Sequence, residues 1–140
     1  MGYTVRYFAD GPVTLKQIGS GLQAMDPQFK IDAGELMYGG ELLGELEITN
    51  AGSDMFNEDI AFKIGELERN GTPAARAVAG RLRATRSIIA LNVLDSATRD
   101  AQQTWQMIGP LWNVLPTLAP GLTQSDGQGY YDNGQLLIAI

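Results

Sequence analysis

The chain has 140 residues, 44% of them hydrophobic and 19% charged, a composition typical of one folded domain rather than of a disordered chain. Ten basic and sixteen acidic residues give a net charge of −6 at pH 7, the opposite of the basic character expected of a nucleic-acid-binding protein. Cysteine and histidine are absent, which excludes disulfides, thiolate nucleophiles, Ser-His triads, the usual zinc sites and imidazole acid-base catalysis.

The sequence has no pattern that directs a chain into or across a membrane. Its first ten residues, MGYTVRYFAD, contain no apolar core of signal-peptide length, and no run of about 18 apolar residues occurs anywhere. Arg6 stands where a myristoylation motif requires Ser or Thr. We therefore expect a single cytoplasmic domain spanning residues 1–140, without membrane contact.

The first two predicted elements are a strand and a helix. Residues 3–9, YTVRYFA, are rich in β-branched and aromatic residues and stop at a turn of Asp, Gly and Pro. Apolar residues at helical spacing between residues 15 and 25 predict a short amphipathic helix. Gly19 and Gly21 weaken that helix unless another backbone packs closely against it.

Strand-like alternation follows from residue 28 to residue 48 and predicts a meander of three short strands with one solvent-exposed face. Gly39-Gly40 suits a two-residue turn between the last two strands, because both positions of a type I′ turn need positive φ. In the third strand we expect Leu42, Gly44, Leu46 and Ile48 to lie on one face and Glu41, Leu43, Glu45 and Glu47 on the other.

Three groups of capping residues predict helix starts. They are Thr14 with Gln17 in a capping box, Ser53 or Asp54, and Thr72 followed by Pro73. Asn70-Gly71 is a stop signal for the second helix.

The segment from Pro73 to Ile108 has no further proline and only one glycine, Gly80. It predicts either one helix of about 36 residues, roughly 54 Å long, or a helical hairpin that breaks near Asp95. A single helix of that length would project beyond a domain of this size. The prolines that follow, at 110, 116 and 120, are expected to divide the next apolar segment into short turns.

The last segment predicts a β-hairpin around Asn133-Gly134, which separates two strand-like runs. The final run, residues 135–140, is apolar on both faces, so we expect it to lie inside the sheet or under a helix. A calcium loop starting at Asp126 is excluded, because the positions that should carry oxygen ligands or glycine hold other residues. The elements together predict an α+β fold in which an antiparallel sheet, formed by the N-terminal strand, the three-strand meander and the C-terminal hairpin, packs against two to four helices.

Charge is unevenly distributed, with five arginines and no acid between residues 69 and 94. This arginine-rich helix has the rhythm of a helix-turn-helix, whose second helix enters the DNA major groove. Alternatively, the arginines pair with the glutamate-rich strand face. The overall negative charge favours the second interpretation.

Glu45 and Glu47 share one face of a predicted strand, with Glu41 further along it. Such a row could hold a hard cation or supply an acid-base pair for a hydrolase-like enzyme. No second cluster of ligands accompanies it, so we expect a solvated strand face, with no catalytic residue, metal or cofactor.

Trp105 and Trp112 are seven residues apart, but the intervening Gly109-Pro110 leaves a shared face uncertain. Tryptophan and arginine are enriched at binding hot spots. We therefore predict a small non-enzymatic interaction or assembly protein that self-associates as a dimer through its helical middle region. Its candidate interaction residues are Arg76, Arg83, Arg86, Trp105 and Trp112. A protein partner is a further option, and the alternatives are a nucleic-acid-binding protein that uses residues 69–86 and a carboxylate-dependent hydrolase-like enzyme.

Overall fold

Eight antiparallel strands form one continuous sheet in the computed structural model, which describes residues 3–139. Its elements are, in chain order, β1 (Tyr3–Ala9), α1 (Leu15–Met25), β2 (Phe29–Asp32), β3 (Glu35–Tyr38), β4 (Glu41–Asn50), α2 (Asp54–Asn70), α3 (Pro73–Leu82), β5 (Ser87–Val93), α4 (Ala101–Leu118), β6 (Gly121–Ser125), β7 (Gly129–Asp132) and β8 (Gln135–Ala139). The strand order across the sheet is β2-β3-β4-β5-β1-β6-β7-β8. The fold is α+β, as predicted.

Helices cover the two faces of the sheet in pairs. Strand β1 shows the division, because Tyr7 and Ala9 pack with α1 and α4 in a first core, whereas Phe8 packs with α2 and α3 in a second core. Successive side chains of a strand point to opposite faces, so one strand contributes to both cores. None of the helices within residues 3–139 is long and apolar enough to span a membrane.

Local turn and capping signals are confirmed. Thr14 and Gln17 form the predicted capping box, Ser53 caps α2, and Thr72 caps α3 with Pro73 in its first turn. Both glycines of the β3–β4 turn have positive φ, at 58° and 87°. Asn133 and Gly134 do so between β7 and β8, at 52° and 85°, as a type I′ turn requires.

Strand β4 departs from the predicted alternation at a β-bulge. Leu36 of β3 pairs with Gly44, but the next residue, Met37, pairs with Leu42. Leu43 is therefore the extra residue, and both Leu43 and Leu46 are buried in the first core. Our assignment of Leu43 to the outer face was wrong, because a bulge shifts the period of two by one residue.

The segment 73–108 is neither one helix nor a helical hairpin. Helix α3 ends at Leu82, and the chain then enters β5, which lies between β1 and β4. Ile88 of β5 belongs to the second core, and Ile89 and Leu91 to the first. A strand buried on both faces is apolar throughout, so its periodicity does not distinguish it from a buried helix.

Helix α4 continues through Pro110 and Pro116 instead of breaking into turns. Proline in a helix interior costs about 3 kcal/mol. Burying one large aliphatic side chain contributes about 1.5–3 kcal/mol. The helix buries Ile108, Leu111 and Leu115 completely, and this packing offsets the cost of the prolines.

The final strand, β8, lies at the edge of the sheet and not inside it. Leu137 and Ile138 pack against the second core, which α3 helps to form, so one face has the predicted helical cover. Gln135, Leu136 and Ala139 are exposed. Ile140 lies outside the described residues.

Helix α1 carries a glycine at position 21 because α4 packs closely against it there. A Cβ atom on Gly21 would lie 2.6 Å from Cγ1 of Val114 in α4. We expect Gly21→Ala to destabilise the protein by roughly 1–3 kcal/mol through overpacking of this contact. Gly19 is the matched control, since a Cβ there would meet only Cδ1 of Ile31, at 3.9 Å. Gly19→Ala should stabilise the protein by up to about 1 kcal/mol through helix propensity.

Urea unfolding followed by circular dichroism measures both changes. Equal effects of Gly19→Ala and Gly21→Ala would contradict the close packing of α1 on α4.

Candidate functional site

The five predicted interaction residues lie on opposite sides of the sheet. Arg76 is exposed on α3, and Arg83 and Arg86 are exposed in the connection from α3 to β5. Trp105 and Trp112 lie on α4, which packs on the other face. The arginines and the tryptophans therefore do not form one surface.

Two arginines of the arginine-rich segment, residues 69–94, form ion pairs with acidic residues that lie outside β4. Arg83 lies 3.7 Å from Glu68 of α2, and Arg81 lies 2.7 Å from Asp132 at the end of β7. The glutamate-rich strand face is thus not their partner in these two pairs. Such exposed pairs contribute at most about 1 kcal/mol each.

The predicted row of carboxylates on β4 is interrupted by the bulge. Glu41 accepts a hydrogen bond from Arg99 at 2.6 Å, whereas Glu45 and Glu47 are exposed further along the strand. Among residues 3–139, no group of three or more acidic, histidine or cysteine residues is placed to hold a metal ion. The three glutamates of β4 therefore do not form one ligand cluster.

A cleft of about 930 Å³ opens between α4 and the strands β1, β6 and β7. Its floor follows cross-strand neighbours, since Tyr7 pairs with Thr123 and Thr123 pairs with Tyr131. Gly121 packs closely against β1, because a Cβ atom there would clash with the backbone oxygen of Phe8 and lie 2.9 Å from Cζ of Tyr7. Further along β6, the small side chains of Thr123 and Ser125 leave space on the face that α4 does not cover. We call this space the α4 cleft.

Aromatic rings form one wall of the α4 cleft. Trp105 and Trp112 are stacked, with ring centroids 6.5 Å apart and planes at 28°. Tyr3 continues the row, with its ring centroid 6.4 Å from that of Trp105. The seven-residue spacing does place both tryptophans on one face, because α4 continues through Pro110. Trp105 remains 40% exposed.

Polar side chains complete the lining of the α4 cleft. Four of them are amides, which can donate and accept hydrogen bonds, namely Gln102, Asn113, Gln128 and Asn133. Among residues 3–139, the charged residues of the lining are Arg81 and Asp132, and these two form an ion pair with each other.

Two residues of the lining carry buried polar atoms that have no hydrogen-bond partner in the described structure. They are Oγ of Ser125 and Nε1 of Trp112. A buried polar atom without a partner costs about 1–3 kcal/mol. Two further atoms of this kind, Oγ1 of Thr85 and the hydroxyl of Tyr130, lie outside the lining of the cleft. The sequence signals Trp112 through the heptad spacing, but no local pattern singles out Ser125.

Tyr3 and Tyr7 of the α4 cleft keep their phenol protons at neutral pH. Tyr7 donates a hydrogen bond to the backbone oxygen of Ala119 at 2.6 Å. Burial, with smaller contributions from Asp10 and Asp132, raises the pKa of Tyr7 to about 12. Burial also raises the pKa of Tyr3. Neither side chain can therefore act as a general base near pH 7.

The outer edge of β8 is a second candidate site. Leu136 is 49% exposed, and no residue of β8 carries a charge. The opposite edge strand, β2, is shorter and exposes Lys30 and Asp32. Charged side chains, short length and β-bulges protect edge strands against pairing with another chain. Charges protect β2, whereas β8 has no charged residue and only a bulge at Leu137, where its register with β7 shifts.

Comparison with known proteins gives no assignment, since no protein-family model, curated protein or solved structure matches this chain. The α4 cleft and the outer edge of β8 are therefore the features from which a function can be inferred.

Proposed function

We propose that this chain is a non-enzymatic assembly protein that forms a homodimer by pairing β8 with β8 of a second copy. The observation that carries the proposal is the apolar edge of β8, which no charged side chain protects. The interface differs from the helical one that the sequence favoured, because the segment 73–108 contains a central strand and no overlong helix.

Antiparallel pairing of β8 with itself gives a closed, two-fold symmetric dimer. Each copy offers the same row of backbone donors and acceptors, so the interface is self-complementary. Pairing of β8 with β2 would instead be head-to-tail and would extend into an open assembly. Lys30 and Asp32 on β2 disfavour that arrangement.

The charges near the α4 cleft favour a binding role over a catalytic one. Among the described residues that line it, Asp132 is the only acid, and it is engaged with Arg81. A carboxylate mechanism needs two acidic groups whose environments separate their pKa values at one reacting centre. The described lining supplies one acidic group.

We expect the wild-type protein to have twice the mass of the 15.1 kDa chain when measured by light scattering at high micromolar concentration. Leu136→Lys places a charge on each of two facing edges and should return the mass to that of one chain. Leu136 is half exposed, so the folded monomer should tolerate this change.

Phe62→Lys is the matched control, because Phe62 is 60% exposed on α2. Helix α2 contacts α3 and β4, and β4 is separated from β8 by four strands of the sheet. It should leave the dimer intact. A wild-type mass of one chain rejects the dimer. Dissociation by Phe62→Lys but not by Leu136→Lys would move the interface to α2.

A further inference from the structure

We infer that the α4 cleft binds an uncharged pyranose saccharide. The inference is independent of dimer formation, because one copy of the chain supplies the whole lining. It extends the proposed assembly role to a ligand that the assembled protein would carry or recognise.

The aromatic row provides apolar ring surface for the carbon-hydrogen face of a sugar ring. Tyr3, Trp105 and Trp112 succeed one another at 6.4 Å and 6.5 Å between centroids. Aromatic rings supply large contact areas with little loss of side-chain entropy. The 40% exposure of Trp105 leaves part of its ring available to a ligand.

The amides opposite and around this row match the hydroxyl groups of a sugar. Each primary amide presents a donor beside an acceptor. Two neighbouring hydroxyls of a sugar can pair with both groups, because each hydroxyl can donate or accept a hydrogen bond. Gln102 and Asn113 are on α4, while Gln128 and Asn133 flank β7. The amides therefore come from both sides of the cleft. A flat heterocycle has fewer hydrogen-bonding groups along its edge and needs fewer such partners.

The charge of the α4 cleft selects against anions and cations. Nη1 of Arg81 lies 2.7 Å from Oδ2 of Asp132. The positive and negative charges of these two lining residues therefore cancel. A phosphate or carboxylate ligand would have to break this pair to gain a cationic partner. An uncharged ligand leaves the pair intact.

Two of the four buried polar atoms without partners among the described residues belong to the lining of the α4 cleft, where a ligand could supply hydrogen bonds. Ser125 is 1% exposed, and its Oγ has no partner among the described residues, as is also true of Nε1 of Trp112. The serine hydroxyl can donate and accept, whereas the indole nitrogen only donates. Sugar hydroxyl and ring oxygens offer partners of both kinds. The volume of about 930 Å³ is at the upper end of small-molecule sites and accommodates more than one ring.

The test is binding of the full chain to an array of neutral oligosaccharides built from glucose, galactose, mannose and N-acetylhexosamine units. Positive probes are then titrated in solution by calorimetry and tryptophan fluorescence. We expect at least one neutral oligosaccharide to bind with micromolar to millimolar affinity and to shift the tryptophan emission. Trp105→Ala should weaken binding at least about tenfold, because it removes a stacking surface.

Two further variants separate loss of contact from loss of folding. Gln128→Ala changes an exposed amide and should also weaken binding, whereas Phe62→Ala on α2 should leave it unchanged. Absence of binding by every neutral oligosaccharide overturns the inference, as does unchanged affinity in a folded Trp105→Ala variant. Binding of adenosine without binding of any saccharide assigns the α4 cleft to flat heterocycles and equally overturns it. The dimer experiment is unaffected by each of these outcomes.

Discussion

Replacing Leu91 by alanine is expected to lower the free energy of unfolding by about 2–5 kcal/mol. Leu91 is fully buried in β5, where it pairs with Val5 of β1 and with Leu46 of β4. The substitution leaves a cavity in the first core, next to the centre of the sheet. A domain of this size is stable by only about 5–15 kcal/mol, so the loss is a large share of the total.

Urea unfolding followed by circular dichroism measures this effect, with Met25→Ala as the control. Met25 has a side chain of similar size but is 53% exposed at the end of α1, so its truncation should cost less than about 1 kcal/mol. If Leu91→Ala cost as little as Met25→Ala, β5 could not be a central strand. A small effect would instead agree with the projecting helix that the sequence first suggested.

The parts of the fold that the sequence predicts well are those fixed by neighbouring residues. Gly39-Gly40 and Asn133-Gly134 specify tight turns through their positive φ values. Thr14 and Ser53 specify helix starts because their side chains satisfy backbone N–H groups of the first turn. These signals need no knowledge of the rest of the chain.

The parts that sequence reasoning missed depend on contacts between distant residues. The apolar run in β5 forms a strand because β1 and β4 supply hydrogen bonds on both of its sides. The bulge at Leu43 is defined by the pairing of β4 with β3, and the edge position of β8 is defined by the order of all the strands in the sheet. Intrinsic propensity is too weak to determine such features.

The α4 cleft is another product of long-range pairing. Tyr7 and Thr123 become neighbours only when β1 pairs with β6. The cleft stays open because β6 presents small side chains where α4 leaves the sheet uncovered. The spacing of Trp105 and Trp112 was its only local signal, and Gly109-Pro110 obscured that signal because proline usually ends a helix.

Stability should be nearly constant between about pH 6.5 and 8, since no histidine or cysteine titrates there, and should fall steeply above about pH 10. We expect the loss of stability above about pH 10 to be caused by two buried tyrosines, Tyr7 and Tyr130. Burial raises the pKa of Tyr7 to about 12, and it raises the pKa of Tyr130 still further. In the unfolded chain both ionise near their ordinary pKa of 10.0.

The direction of the change follows from the protons that each state holds. Above about pH 10 the unfolded chain has lost protons that the folded protein keeps, so rising pH favours unfolding. The stabilisation is fully present below about pH 10 and is lost as the pH rises towards the folded-state pKa values. Each tyrosine can contribute a slope of up to about 1.4 kcal/mol per pH unit. Urea midpoints at neutral and strongly alkaline pH measure the loss.

Two substitutions to phenylalanine assign the loss to these residues. The hydroxyl of Tyr130 has no hydrogen-bond partner among the described residues, so Tyr130→Phe should preserve or raise stability at pH 8 while reducing the alkaline slope. Tyr7→Phe removes the bond to Ala119 and should cost about 1 kcal/mol at pH 8, again with a smaller slope. A double variant that lost stability above pH 10 as steeply as the wild type would show that other groups cause the alkaline unfolding.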